Sequence, residues 1–319
     1  MAHLVETMAY INAVPWHGIG NRLSTKQPIE VWAQQSGISF DIKETPVRFM
    51  TESAGGLGAI KSFPEQKVLY RSDTNAPLSV VSSRYQVVQP REILEFYKDL
   101  TEVSGFELET AGILKGGRKI WALAKTNQSA VLKGNDRVNG YLLLATACDG
   151  TLATTAQFTS VRVVCNNTLA VALSNASSAI KVPHSTSFDP QAVKKQLGIS
   201  ISSWDSFMYR MKTLSERRVK SHEAMNYFLR VFTDPATTAA GLSNERAMKK
   251  VMALYEGDGK GAELASSKGT AFGLLNAVTE YVDHERRARS TDHRLESAWF
   301  GQGATLKQKA LNQAMVMAS

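Results

Sequence analysis

The sequence predicts an α+β fold in which an antiparallel β-hairpin sheet is packed by helices and followed by a mainly α-helical C-terminal part. Three observations carry this expectation. Four apolar runs between residues 106 and 164 are joined in pairs by Lys115–Gly116–Gly117 and by Asp149–Gly150, dipeptides and tripeptides suited to tight hairpins. Just before them, PREILEFYKDLTEVSG repeats apolar residues at helical spacing. From Asp189 onward strand patterns stop and helical spacing continues to the end of the chain.

Taken in order, the first sixty residues hold short elements. A loop PWHGIG precedes a helix PIEVWAQQ opened by Pro28, and strand-like ISFDIKETPVRFM follows. GGLGAI at 55–60 reads as a glycine-rich turn, and VLYRSDTNAPLSVVSSRYQVVQP as two or three short strands broken at 75–77 and 82–83. Pro90 starts a helix whose apolar stripe is Ile93, Leu94, Phe96, Tyr97, Leu100 and Val103, with Gly105 at its stop. Next come the hairpins FELETAGIL/RKIWALAKT and NGYLLLATAC/TLATTAQFTSVRVV, which together make a four-stranded sheet. The last strand carries Arg162, and Asn166 or Asn167 is placed to cap a helix running through Ala170 and Leu173. Pro183 and Pro190 bracket a polar stretch, giving expected domains of 1–188 and 189–319.

Composition fits a folded chain of 319 residues with 43% hydrophobic and 21% charged residues. Thirty-seven Lys and Arg against 29 Asp and Glu leave a formal charge of +8, which suits a polyanionic partner. Cys148 and Cys165 sit in apolar runs without metal-ligand spacing and read as reduced core residues, which favours the cytoplasm. The N-terminus lacks the pattern of a signal peptide, and YLLLATAC is too short to span a bilayer, so no membrane association is expected.

Enzyme motifs are sparse. YEGDGKGAEL has Leu254 where a phosphate loop requires its first glycine, and Gly261 where it requires Ser or Thr. GGLGAI lacks the spacing and the following acid of a dinucleotide fingerprint, and no nucleophile elbow occurs. His284 and His293 each follow an aspartate, Asp283 and Asp292, which invites a metal reading, yet no third ligand stands at a recognised interval. The expectation is therefore of no catalytic residue, no metal and no cofactor.

Binding is the better fit. Contact with single-stranded nucleic acid needs cations along the backbone and aromatic faces for the bases. The candidates are Lys115, Arg118, Lys119 and Trp121 on the first hairpin, Arg162 on the last strand, and Lys194, Lys195, Arg210, Arg217 and Arg218 in the basic segment 191–220, where seven cations face two acids. Each has a plainer reading: Trp121 as core, the hairpin cations as a solvated edge, and the helical cations as the polar face of an amphipathic helix whose apolar side is Trp204, Phe207, Met211 and Leu214.

The segments VPWHGIG, LSVVSSRYQVVQPREILEF, RKIWALA, LLATACDGTLATTAQFTSVRVVCNNTLAVAL, GTAFGLLNAVTEYVDH and AWFGQG, in that order, resemble a family of uncharacterised phage- and plasmid-borne proteins grouped as a domain of unknown function. That resemblance implies an accessory protein of a mobile element and no specific chemistry. At the level of fold alone, a hairpin sheet backed by a helix with a basic flank is similar to single-strand annealing proteins. That likeness implies a single-stranded DNA partner, a homo-oligomeric ring or filament, and Arg162 with the basic hairpin along the DNA groove. Two rival readings stand beside it: a protein that binds a host factor, and a metal-dependent nuclease using Asp149, Asp283 or His284.

Overall fold

A computed structural model describes residues 5–11, 20–53, 56–162, 167–170, 179–198, 201–233 and 245–319. Its strands are β1 (Val5–Tyr10), β2 (Asn21–Arg22), β3 (Ile42–Ser53), β4 (Gly56–Arg71), β5 (Pro77–Ser82), β6 (Glu107–Leu114), β7 (Lys119–Val131), β8 (Arg137–Ala147), β9 (Thr154–Arg162), β10 (Asn167–Ala170) and β11 (Ile180–Val182). Two helices, α1 (Ile29–Gln35) and α2 (Pro90–Ser104), lie among them. The C-terminal part is helical, with α3 (Pro190–Gly198), α4 (Ile201–Glu216), α5 (Ser221–Phe232), α6 (Glu245–Ala253), α7 (Ala271–Glu280), α8 (Thr291–Phe300) and α9 (Gln302–Ala318). The fold is the expected α+β arrangement.

The main sheet has the order β10-β9-β8-β7-β6-β1-β2, with β11 also pairing β9, and a second sheet has the order β3-β4-β5. All four strands expected from the two hairpins are present, β6 through β9. The N-terminal segment adds β1 antiparallel to β6 and the short β2 parallel to β1. GLGAI belongs to β4 rather than to a turn, because β3 and β4 continue their pairing out to Ser53↔Gly56.

Two compact units share the chain. The first takes 1–125, 142–156 and 179–196, and the second 126–141, 157–178 and 197–319. A cut at 188/189, expected from the prolines, therefore falls inside the last segment of the first unit.

In the first unit, α2 buries Ile93, Leu94, Phe96 and Tyr97, the stripe its spacing announces. Gln89 starts the helix twice over: its N–H donates to Glu92 Oε2 at 2.6 Å, and its side-chain amide pairs with the N–H and C=O of Ile42 at 2.9 and 3.1 Å. Gly105 ends it at φ 66°, a left-handed conformation that costs glycine nothing. Between the ends, the Tyr97 hydroxyl lies 2.9 Å from Ala122 O and 3.0 Å from Leu142 O, so one side chain joins α2 to β7 and β8.

In the second unit all ten residues of α7 are buried. Thr270 caps it by accepting from Gly273 N–H at 3.1 Å. Tyr227 of α5 donates to Ala310 O of α9 at 3.0 Å. The helix expected from Asn167 onward is not formed over 167–170, which is β10, antiparallel to β9 with Asn167 opposite Arg162 and Leu169 opposite Ser160. Local capping is overridden by a distant acceptor: Thr168 N–H donates to Asp283 Oδ2 at 2.7 Å, and the Ser160 hydroxyl donates to Leu169 O at 3.2 Å. Asn166 and Leu173 lie outside the described residues.

Candidate functional site

The ten sequence-predicted contacts separate by environment. Lys119 and Trp121 are each 4% exposed. The first four residues of β7 are buried on both faces, so strand alternation does not turn either side chain outward, and both are corrected from contact to core. Lys115 and Arg118 flank the 3₁₀ turn Lys115–Gly117, Lys115 half-buried and Arg118 exposed. On α3, Lys195 is exposed, while the Lys194 ammonium sits 5.2 Å from the centre of the Phe96 ring, a cation–π contact. Arg162 ends β9; its side chain lies outside the described residues.

Two predicted cations are engaged in holding the second unit together. Arg217 donates through Nε to Met317 O at 2.9 Å and through Nη2 to Glu223 Oε1 at 2.6 Å. The Glu223 carboxyl, which accepts the Lys220 N–H as well as the Arg217 guanidinium, is held below its usual value by both. Arg218 donates to Lys268 O at 2.9 Å, and its backbone bridges to Thr270. The Arg217 guanidinium is committed through both Nε and Nη2, whereas exposed Arg218 uses only Nη1 and keeps its other N–H groups on the surface.

Arg210 is different. Helix α4 buries Trp204, Phe207, Met208, Met211 and Leu214, and this apolar stripe rotates Tyr209, Arg210 and Lys212 to the outside. Tyr209 is 73% exposed, with Lys212 one turn further along. Along its stripe Tyr209 has Lys212 on one side and exposed Asp205 on the other, with Arg210 a quarter-turn round the helix; an exposed ring with cations on the same helix is a composition that single-stranded nucleic acid binding uses. Tyr209 was missed in the sequence because a tyrosine inside an amphipathic repeat reads as core; the signal was its position out of step with Trp204, Phe207 and Met211.

The two aspartates considered for metal chemistry, Asp283 and Asp149, have other occupations. Asp283 is 7% and Lys307 4% exposed, and Lys307 Nζ donates to Asp283 Oδ1 at 2.7 Å and to Thr168 O and Oγ1, both at 2.9 Å. The other oxygen, Oδ2, accepts from Thr168 N and Oγ1, so both carboxylate oxygens are taken. Asp149 closes its own turn by accepting from Thr151 N at 3.0 Å. Among the described residues no group of three or more His, Cys, Asp or Glu could hold a metal ion.

The glycine-rich stretch around Lys260 does form an anion cradle, but a carboxylate of the chain fills it. Lys260 N–H faces both oxygens of buried Glu280 at 3.1 Å, and Gly259 packs so closely that a Cβ there would lie 2.5 Å from Leu254 O. Cys148 is equally closed to chemistry. Burial, with the Asp149 charge adding to it, pushes its thiol up to about 12. At pH 8 only about one thiol in ten thousand would be ionised. Iodoacetamide at that pH should leave the Cys148 peptide unlabelled in the native protein and label it after denaturation, as read by peptide mass spectrometry; native labelling would place the thiol in a more open setting.

Together the fold and these sites define an α+β protein with an antiparallel sheet, a helical C-terminal part and exposed basic and aromatic side chains on α4. No helix among the described residues is long and apolar enough to cross a membrane. The chain belongs to the family described as Domain of unknown function (DUF932), whose model matches residues 77–299. No curated protein and no solved structure matches it.

Proposed function

We propose that the protein binds single-stranded DNA without sequence preference and without catalysis, in strand annealing during replication or recombination of a phage or plasmid. The observation that supports this reading is the exposed face of α4, where Tyr209 offers a stacking surface and Arg210 and Lys212 offer charge. The formal charge of +8 adds a long-range attraction for phosphates. Exposed Arg118 and Lys195, and Arg162, remain candidate phosphate contacts.

Fluorescence anisotropy with a labelled oligo-dT strand tests it. Affinity should fall as salt rises, with log K changing by about 0.7 per phosphate contact for each log unit of salt. Tyr209→Ala should cost about 1–3 kcal/mol, roughly 5- to 150-fold, through lost stacking. Arg210→Ala should instead flatten the salt dependence by about 0.7. Absence of binding in low salt would sink the proposal.

A further inference from the structure

A cavity of about 310 Å³ lies between α1 and α2 of the first unit, its lining completed by Ile11, the stretch 25–28 and the start of β6. That is about twice the volume that encloses a benzene molecule, so about 10–15 non-hydrogen atoms would fill it. It stands at the lower end of the range for small-molecule sites. The floor is apolar: Ile11, Trp32, Leu94 and Tyr97 are all buried, and Leu108 is half-buried.

Three donors at this cavity lack an acceptor. Trp32 is 3% exposed, and its indole N–H has no acceptor among the described residues. That N–H is not enclosed by protein atoms, so it opens into the cavity that the ring lines. Buried donors normally have partners, and an oxygen of whatever fills the cavity can take that place.

The other two donors are at the mouth, where α2 presents Arg91, Glu95 and Lys98 on one face. Arg91 donates through Nε to Glu95 Oε1 at 2.6 Å, and its Nη2 lies 4.0 Å from Glu30 Oε1, which occupies both acids. Lys98 and Lys26 form no ion pair among the described residues. Glu107 is the remaining acid of the rim, so two unpaired ammonium groups stand against one carboxylate. Lys26 also sits at φ 59°, in the left-handed region that favours glycine, so its place at the mouth is kept against the preference of its own backbone.

We propose that the α1–α2 cavity binds a small aromatic carboxylate. The ring system fills the apolar floor, where the rings of Trp32 and Tyr97 offer aromatic contacts. The carboxylate, an acceptor-only group, meets the donors that have no partner, Lys26, Lys98 and the Trp32 N–H. Every residue of the site belongs to the first unit, whereas Tyr209, Arg210 and Lys212 belong to the second, so this site and the DNA reading stand or fall separately.

Titration calorimetry of the full-length chain with sodium 1-naphthoate supplies the test. One saturable site with a Kd of about 1 mM or below is expected for a ligand of this size. 1-Naphthalenemethanol, the same ring without the charge, should bind at least about fivefold more weakly. Lys26→Gly is the most informative variant, because glycine suits φ 59°. Its unfolding midpoint should hold or rise while its naphthoate affinity falls about threefold, and adding Lys98→Ala should bring the loss to about tenfold. Thr101→Trp, placed at an exposed lining position, should fill the cavity and abolish the heat. Should circular dichroism show that variant misfolded, Gln27→Trp on the rim replaces it. Absence of saturable binding overturns the proposal. So do equal affinities for the acid and the alcohol, or an affinity unchanged by both lysine substitutions. Binding that survives a folded, filled cavity places the ligand elsewhere and overturns the site. Tighter binding of decanoate than of naphthoate overturns the aromatic body.

Discussion

Lys307→Ala should destabilise the protein by about 3–5 kcal/mol, the cost of leaving a buried carboxylate without its counter-charge. The side chain removed is 4% exposed and supplies three hydrogen bonds, one to Asp283 Oδ1 and two to Thr168. Asp283, 7% exposed, would keep only the Thr168 donors on its other oxygen. Water entering the gap would recover part of the loss, so the figure is the upper range for a site that stays closed. Guanidinium denaturation followed by tryptophan fluorescence measures it. The double variant Lys307→Met with Asp283→Asn separates charge from packing, because the asparagine oxygen can still accept from Thr168 N–H while no charge is left buried. It should be more stable than Lys307→Ala. Equal loss in both would mean that neither the buried charge nor the methylenes decide the effect, and that it lies in the ammonium hydrogen bonds to Thr168 and Asp283 that both variants lose.

Tyr97→Ala should cost a similar amount, about 3–5 kcal/mol, for a different reason. Tyr97 is 1% exposed and among the largest fully buried side chains, so truncation opens a cavity where α2 lies on the sheet. Its hydroxyl also faces the carbonyls of Ala122 and Leu142. Tyr97→Phe keeps the ring and removes that hydrogen bonding, so it should cost only about 0.5–1.5 kcal/mol. Chemical denaturation of both variants apportions the effect. If phenylalanine proves as damaging as alanine, the hydroxyl and not the ring is what fixes α2 in place.

Much of the fold was legible because its signals are local. The Asp149–Gly150 turn, the stripe of α2 and the buried residues Trp204, Phe207, Met211 and Leu214 of α4 each depend on neighbours a few positions away. What the sequence concealed depends on distant partners. Asn167–Ala170 reads as a capped helix, yet its outcome is decided by Asp283, 115 residues further on from Thr168. Trp121 and Lys119 alternate as if one face were wet, but covering both faces of β7 is a tertiary fact. Arg217 looks as available as its neighbour Arg218, yet its Nε is taken by the main-chain oxygen of Met317. Carbonyl partners leave no mark in a sequence, whereas carboxylates do. Within the candidate site the cation Arg210 was legible, and the aromatic beside it was not.

The interleaving of the two units also has a meaning for the gene. Each unit is assembled from three separate stretches of coding sequence, and the strands β7, β8 and β9 each begin in one unit and end in the other. Neither can be copied out as one uninterrupted cassette, and a crossover anywhere between codons 126 and 196 would leave both incomplete. The two units must be inherited together, whereas the outer part of the β3–β4 hairpin, residues 47–63, is one uninterrupted stretch of coding sequence that could be gained or lost in one event.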